Sequence, residues 1–305
     1  MVVEIHPSGG LGIVVALQAN YLEVVLDQAP GGCPSRLLCT RRTRLSHRGA
    51  AVHVGDRVRL EAIDPLQARA VVADVEPRRS WLSRPPVANV SLVAVALAVE
   101  QPGFDPDQAS RFLLTAERTG LEVLVLLTKT DLISTEEQSQ IKSRLQGWGY
   151  EPLLLSSCSG EGITALRDRL ASSSLSVLCG PSGVGKSSLL NQLMPHLSLR
   201  TAAVSGKLQR GRHTTRHVEL FPLGASARVA DTPGFNRPDL PDDPRELAML
   251  FPELRDQLSP WPCRFRDCLH RGEPGCGVST DWERYGLYQA ALDEQAGISR
   301  PFRGG

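Results

Sequence analysis

Short runs of alternating apolar residues, broken by glycine, proline and charge, fill the first part of the chain. Gly12-Ile13-Val14-Val15-Ala16-Leu17, Tyr21-Leu22-Glu23-Val24-Val25-Leu26, Asp56-Arg57-Val58-Arg59-Leu60 and Val71-Val72-Ala73-Asp74-Val75 each read as a strand. Four or five strands at this spacing, with no helical period, predict a small barrel of the oligonucleotide-binding (OB) kind over residues 1–85. Arg84-Pro85-Pro86-Val87 then reads as a linker, because each proline holds its predecessor extended. Beyond it the period changes. Apolar strands at Ser91–Val99, Leu121–Leu127 and Pro152–Leu155 alternate with helical stretches at Asp105–Arg118 and Glu136–Gln146, the pattern of a parallel sheet covered on both faces. A helix at Ile163–Leu170 leads through the serine-rich joint Ala171-Ser172-Ser173-Ser174 into the strand Ser176–Cys179. Strands at Val218–Leu223 and Ala227–Ala230 complete an α/β domain over 86–237. Residues 238–305 form a third, α-rich part, with a helix at Trp282–Asp293 and a loose tail from Gly297.

Composition narrows the class. The 305 residues are 41% apolar and 22% charged, as in soluble globular chains of two or three domains. Net charge is only +1, but Arg36–Arg59 holds seven arginines against Asp56 alone, so a polyanion would meet a local patch on the barrel. No basic leader precedes an apolar run and no stretch reaches membrane-spanning length, so the expectation is a cytoplasmic protein without a membrane partner. Of seven cysteines, three cluster with a histidine near the C-terminus, which favours metal ligation over a disulfide framework. Cys33 and Cys39 lack metal spacing.

The chemistry centres on Gly180-Pro181-Ser182-Gly183-Val184-Gly185-Lys186-Ser187-Ser188, which follows a strand and opens a helix. Its glycines let successive backbone N–H groups surround a triphosphate, Lys186 can reach the outer phosphates, and the Ser187 hydroxyl can ligate Mg²⁺. Thr128-Lys129-Thr130-Asp131 and Ser156-Ser157-Cys158-Ser159 stand at two other strand ends and resemble the base-reading elements of GTPases. A carboxylate at Asp131 can accept from both N1–H and the N2 amine of guanine, Lys129 can lie along the base with its head at the loop around Gly180, and Ser157 and Cys158 support the purine. Thr128 replaces the usual asparagine, losing an amide that would bond the purine and brace the neighbouring loop. Gly211-Arg212-His213-Thr214-Thr215 looks like a first switch, in which a threonine closes on Mg²⁺; Thr215 is the ligand expected. Asp231-Thr232-Pro233-Gly234 looks like the second, with Asp231 at the Mg²⁺ hydration shell and the Gly234 N–H on the γ-phosphate. Phe235 cannot polarise water, so another group must. These elements run in the reverse of the usual GTPase order. The sheet still closes if the serine joint links what are elsewhere the chain ends, which makes this a circular permutation. On that reading the second switch runs straight into the C-terminal part and a γ-phosphate-driven shift moves that whole part.

In the C-terminal part, Cys263, Cys268, His270 and Cys276 complete a tetrahedral, structural Zn²⁺ shell in a segment too short to bury much core of its own. Arg264, Arg266 and Arg271 lie between the ligands and could contact RNA or protein. The combination resembles the RsgA (YjeQ) family of circularly permuted GTPases that act in maturation of the bacterial small ribosomal subunit. The likeness spans nearly the whole chain and is most specific in Gly180–Asn191 and Gly211–Thr215. It implies hydrolysis of GTP to GDP with Mg²⁺, stimulation by the 30S subunit, contact with its rRNA, a monomeric state, and a hydrolytic role for the switch histidine, here His213. An imidazole can orient water where Phe235 cannot. Two other readings stand beside it: an RNA-binding scaffold with an idle nucleotide site, and a permuted ATPase or nucleotide kinase, which Thr128 makes thinkable.

Overall fold

A computed structural model of the chain describes residues 9–42, 51–195, 218–224, 226–231, 241, 243–260 and 262–297. They fall into two compact units, Met1–Leu92 with Arg167–Cys179 and Ala202–Gly234, and Val93–Leu166 with Gly180–Thr201 and Phe235–Gly305.

The first unit opens with β1 (Gly10–Leu17), β2 (Leu22–Leu26), β3 (Arg36–Arg41), β4 (Arg57–Asp64) and β5 (Arg69–Val75). Antiparallel pairs β1–β2, β2–β3, β4–β5 and β1–β4, with a parallel β3–β5 pair, close the ring in the order 1-2-3-5-4. This is the barrel expected of the alternating runs. Leu22, Val24 and Leu26 point inward from alternate positions and meet Leu37, Val58, Leu60 and Val72. Cys39 lies in the same core, where burial pushes its thiol up to about 12, so it stays an inert apolar filler. The arginine-rich stretch is less cationic than its sequence implies, because neighbouring strands supply acids. Arg36 pairs with Glu23 at 3.3 Å, Arg42 with Glu61 at 2.5 Å, and Arg57 with Asp27 through Nη1 at 2.7 Å. Arg41 and Arg59 remain exposed, while Arg44 and Arg48 lie outside the described residues.

The predicted linker is a hairpin. β6 (Trp81–Ser83) and β7 (Pro86–Ala88) pair antiparallel, and the Ala88 N–H donates to the Val54 carbonyl at 2.9 Å. Asn89 donates its amide to the Gly55 carbonyl at 2.9 Å. Gly55 sits at φ +87°, and a Cβ there would collide with the Ala88 carbonyl, so only glycine lets the hairpin dock this closely.

β8 (Leu92–Ala98) is buried at all seven positions. After it come α1 (Pro106–Glu117), β9 (Glu122–Thr128), α2 (Thr135–Gly147), β10 (Leu153–Leu155), α3 (Ile163–Ala171), β11 (Leu175–Cys179), α4 (Lys186–Leu193), β12 (Glu219–Leu223) and β13 (Ala227–Asp231). Each boundary matches its expected place within two residues. Asp105 caps α1 by accepting from the N–H groups of Asp107 and Gln108, and Ser134 with Glu137 forms a capping box on α2. β9 and β10 are parallel in the second unit. β11 and β13 are parallel in the first, where β12 turns back antiparallel on β13 and meets β1 at Ala16 opposite Glu219. Among the described residues no helix is long and apolar enough to cross a membrane.

Within the second unit, α5 (Pro244–Met249), α6 (Pro252–Gln257) and α7 (Tyr285–Gln295) surround Phe251, Leu254, Tyr288 and Leu292. The helices α5 and α6 run six residues each, too short to show a period, and each begins with proline at its first turn. The segment buries more core than its length promises, because it shares that core with Leu114 of α1. It is fastened to the end of α2 as well. Arg284 is buried, donating through Nε to Glu253 Oε1 at 2.7 Å and through Nη2 to Oε2. Its Nη1 has no hydrogen-bond partner among the described residues, and the rings of Trp148 and Phe251 lie with centroids 4.8 and 5.1 Å from the guanidinium carbon. Gly149 follows Trp148 so closely against Pro252 that a Cβ would clash. Trp148 donates to Glu283 at 2.9 Å and Arg255 reaches Glu117 at 3.0 Å. Within the second unit the C-terminal part is thus held to α1 and to the end of α2. Replacing Arg284 by methionine leaves the Glu253 carboxylate buried without its cation and is expected to cost about 3–5 kcal/mol in urea unfolding; the double change Arg284→Met with Glu253→Leu should recover most of that loss.

Candidate nucleotide and metal sites

The phosphate loop leaves β11 at Gly180, which has φ +137° and lies so close to Ala96 of β8 that a Cβ would collide with its carbonyl oxygen. Gly185, at φ +95°, precedes α4 as its N-cap and offers no side chain to the helix's first N–H groups. Those donors, and the exposed tip Ser182-Gly183, suit an anion. The Lys186 ammonium curls onto the loop, donating to the Gly180 and Pro181 carbonyls at 2.8 and 2.7 Å. Ser187 and Ser188 are half-buried in the first turn of α4.

Two other strand ends reach the same loop. The Thr128 hydroxyl, 2% exposed as a residue, donates to the Val184 carbonyl at 2.6 Å and lies 3.3 Å from the Leu97 carbonyl. This corrects the sequence expectation, since threonine keeps the brace to the phosphate loop and lacks only an amide for the purine. Lys129 stands at φ +61° with its stem beside the loop, Cε being 3.9 Å from where a Cβ on Gly185 would lie. Its ammonium donates to the Gln101 carbonyl, where the expectation had placed it near Gly180. Asp131 is exposed, and one carboxylate oxygen accepts from the buried Ser156 hydroxyl at 2.5 Å, leaving the other edge available to a ligand. The Ser156 oxygen in turn accepts from the N–H groups of Cys158 and Ser159 at 3.2 and 3.0 Å.

Ser156 therefore aims the carboxylate and shapes the turn, a role the sequence reading, which singled out Ser157 and Cys158 as support for the purine, did not assign. Its signal was available, as the first residue beyond β10. Ser157 contributes its carbonyl, which accepts from Gln192 of α4 at 3.0 Å and ties the base-side turn to the phosphate helix; nothing in the sequence marked Gln192. Asp231 ends β13 in register with Leu178 of β11, two residues before the phosphate loop begins. The Asp231 side chain, His213, Thr214, Thr215 and Gly234 lie outside the described residues.

The four expected metal ligands converge. Cys263 Sγ lies 3.5 Å from His270 Nδ1 and 3.9 Å from Cys276 Sγ, Cys276 Sγ lies 3.7 Å from the same nitrogen, and all four ligand atoms fall within 4.8 Å of one another. A tetrahedral Zn²⁺ has ligand-to-ligand edges of about 3.8 Å for two sulfurs and about 3.6 Å for sulfur and nitrogen, so the donor set fits that ion. Burial pushes the Cys268 thiol up to about 12 and the His270 imidazolium down, so a cation is what would make thiolates of these sulfurs. Glu273 holds the knuckle by accepting from the N–H groups of Leu269 and Arg271 at 2.9 and 2.6 Å. The Tyr285 and Tyr288 hydroxyls donate from α7 to the carbonyls of His270 and Leu269. Arg271 is engaged with Asp293 at 2.5 Å, which leaves Arg264 and Arg266 as the outward cations of the knuckle.

A family model described as RsgA GTPase matches residues 75–241. The chain belongs to the RsgA GTPase family. It is 81% identical over 294 residues to a small ribosomal subunit biogenesis GTPase RsgA of Synechococcus sp. strain CC9605, covering 96% of this chain and 97% of that one. A protein of the same name from Synechococcus sp. strain CC9311 is 72% identical over 305 residues, the whole of both chains. Among solved structures, YjeQ from Thermotoga maritima superposes with a TM-score of 0.79 at 30% identity, covering 95% of this chain and 99% of that one. YloQ, described as a circularly permuted GTPase, gives 0.76 at 26% identity, covering 99% and 100%. Both solved structures thus match the fold over nearly the whole of this chain.

The brace from Thr128 gives a direct test. Thr128→Val keeps shape but strands the buried Val184 carbonyl, at a cost of about 1–2 kcal/mol. GDP affinity by calorimetry should fall about tenfold or more, while Thr128→Ser should stay within about threefold of wild type.

Proposed function

We propose that this protein hydrolyses GTP, binds the small (30S) ribosomal subunit and assists its late maturation, with the subunit raising turnover. The observation that carries this is the convergence of Asp131, aimed by Ser156, with the Lys186 loop through the Thr128 brace, in a member of a family whose named relatives are small ribosomal subunit biogenesis GTPases. In this reading the backbone of Gly180, Ser182, Gly183, Val184 and Gly185 cradles the phosphates with Lys186, and Ser188 continues the helix behind them. Asp131 selects guanine, with Lys129 along the base and the Ser157–Cys158 turn beneath it. Ser187 and Thr215 would hold Mg²⁺, with Asp231 at its hydration shell; the ion neutralises phosphate charge when bound. Thr214 and Gly234 close the switches on the γ-phosphate. His213 orients the attacking water.

One Zn²⁺ at Cys263, Cys268, His270 and Cys276 is structural, since protein fills all four positions. The functional division is a barrel at 1–85 facing rRNA, a permuted GTPase at 86–237 and a zinc-binding part at 238–305. The protein works as a cytoplasmic monomer with GTP and GDP. Phosphoryl transfer rests on positioning and charge, so turnover is slow until the subunit orders the switches. Measuring GTP turnover with and without purified small subunits at several salt concentrations tests this. Subunits should stimulate the wild type, and His213→Ala should lose about 100-fold of stimulated turnover while keeping its GDP affinity. Full stimulated turnover in His213→Ala removes the histidine from the mechanism, and no stimulation of the wild type removes the subunit.

A further inference from the structure

The β6–β7 hairpin carries a feature that neither the nucleotide site nor the metal site uses. Trp81 is 42% exposed, while its neighbour Leu82 is 4% exposed and anchors the strand. The indole belongs to a fixed column. The guanidinium carbon of Arg78 lies 4.6 Å from the ring centroid, and the His53 ring lies 4.6 Å from it at an interplanar angle of 63°. Arg78 is itself held by a fully buried carboxylate, its Nε donating to Asp56 Oδ1 at 2.7 Å and its Nη2 to Oδ2 at 2.9 Å. The same Nη2 donates to the Ala51 carbonyl at 2.8 Å, and the His53 N–H donates to Asp56 at 2.8 Å. Burial first, and then the Arg78 charge, lower the His53 pKa, which keeps that ring a neutral neighbour.

A column built only for stability would bury its indole. This one uses an ion pair with a buried carboxylate and a partly exposed guanidinium to hold a large aromatic at the surface. The surroundings are cationic, for Pro77–Arg84 contains three arginines and no acid, and Arg79 and Arg84 are exposed. A pre-fixed aromatic loses little freedom on binding, every nucleobase offers a π-face, and arginines draw the phosphates on either side. We propose that Trp81 is a stacking platform for an unpaired base of single-stranded RNA, with Arg79 and Arg84 taking the flanking phosphates. The surface belongs to the hairpin and lies outside the barrel strands. This rests on the RNA-facing reading of the protein given above.

The test compares a labelled oligoadenylate with an RNA duplex of equal length, by fluorescence anisotropy on the full chain. Trp81→Ala should weaken oligoadenylate binding about tenfold and leave the duplex and basal GTP turnover unchanged; Trp81→Phe should stay within about threefold. Arg79→Ala should flatten the salt dependence by about one unit of slope for both RNAs. If Trp81→Ala fails to fold, Trp81→Phe against Trp81→Leu separates an aromatic platform from simple bulk. Wild-type oligoadenylate affinity in Trp81→Ala, or equal loss for single strand and duplex, overturns the proposal. So does a loss seen with whole subunits but not with naked RNA, which would assign the surface to a protein partner. Absence of subunit-stimulated turnover in the wild type would defeat the functional reading but leave the oligoadenylate comparison standing.

Discussion

One buried hydrogen bond, from the Thr128 hydroxyl to the Val184 carbonyl, joins the end of β9, next to Lys129 and Asp131, to the glycine-rich loop that carries Lys186. The two residues are 56 apart in sequence, so neither can set the other's position through local geometry. With the hydroxyl buried and its proton committed, the loop has one preferred distance from the β9 end. A second tether, Gln192 to the Ser157 carbonyl, repeats the connection on the far side of the loop. This is why reversed motif order does no damage. The site is specified by contacts among strand ends, and the connections between strands can be rewired so long as those ends arrive together.

The C-terminal part has a comparable logic. Its helices share a core with α1, and the Arg284–Glu253 pair with its aromatic rings fixes it to the end of α2, the helix that begins after Asp131. The loop that carries the Cys263, Cys268, His270 and Cys276 donor set is held from two directions, by Glu273 within it and by tyrosine hydroxyls from α7. In the first unit β12 meets β1, so the strand that precedes β13 and Asp231 touches the barrel directly.

The sequence was most legible where period is long or chemistry is strict. Four of the five barrel strands, the alternating α/β elements and the metal ligands were readable, because alternation and cysteine spacing each reflect one local rule; β3 was missed, its run Arg36–Arg41 being read as a basic loop. Four other things were not readable. The docked β6–β7 hairpin was hidden because proline marks extended backbone without saying what it pairs with. Arginine pairing in the barrel was hidden because Asp27, Glu61 and Glu23 come from strands distant in sequence. At the candidate site Thr128 was taken as a loss, since a sequence shows which atom is missing relative to asparagine but not that a shorter hydroxyl already reaches Val184. Ser156 was passed over for its neighbours because strand ends are read only to within a residue or two.

The central claim is that segments far apart and in reversed order make one guanosine pocket with Asp131 at its base end. Asp131→Asn tests it most directly, because an amide can accept from N1–H and donate to the C2 oxygen of xanthine, whereas the N2 amine of guanine would face a donor. Calorimetric titration of this variant with GDP and with xanthosine diphosphate should show GDP affinity falling by about 100-fold or more and a preference for the xanthine nucleotide. Unchanged GDP binding in Asp131→Asn, with no gain for xanthosine diphosphate, would contradict the account.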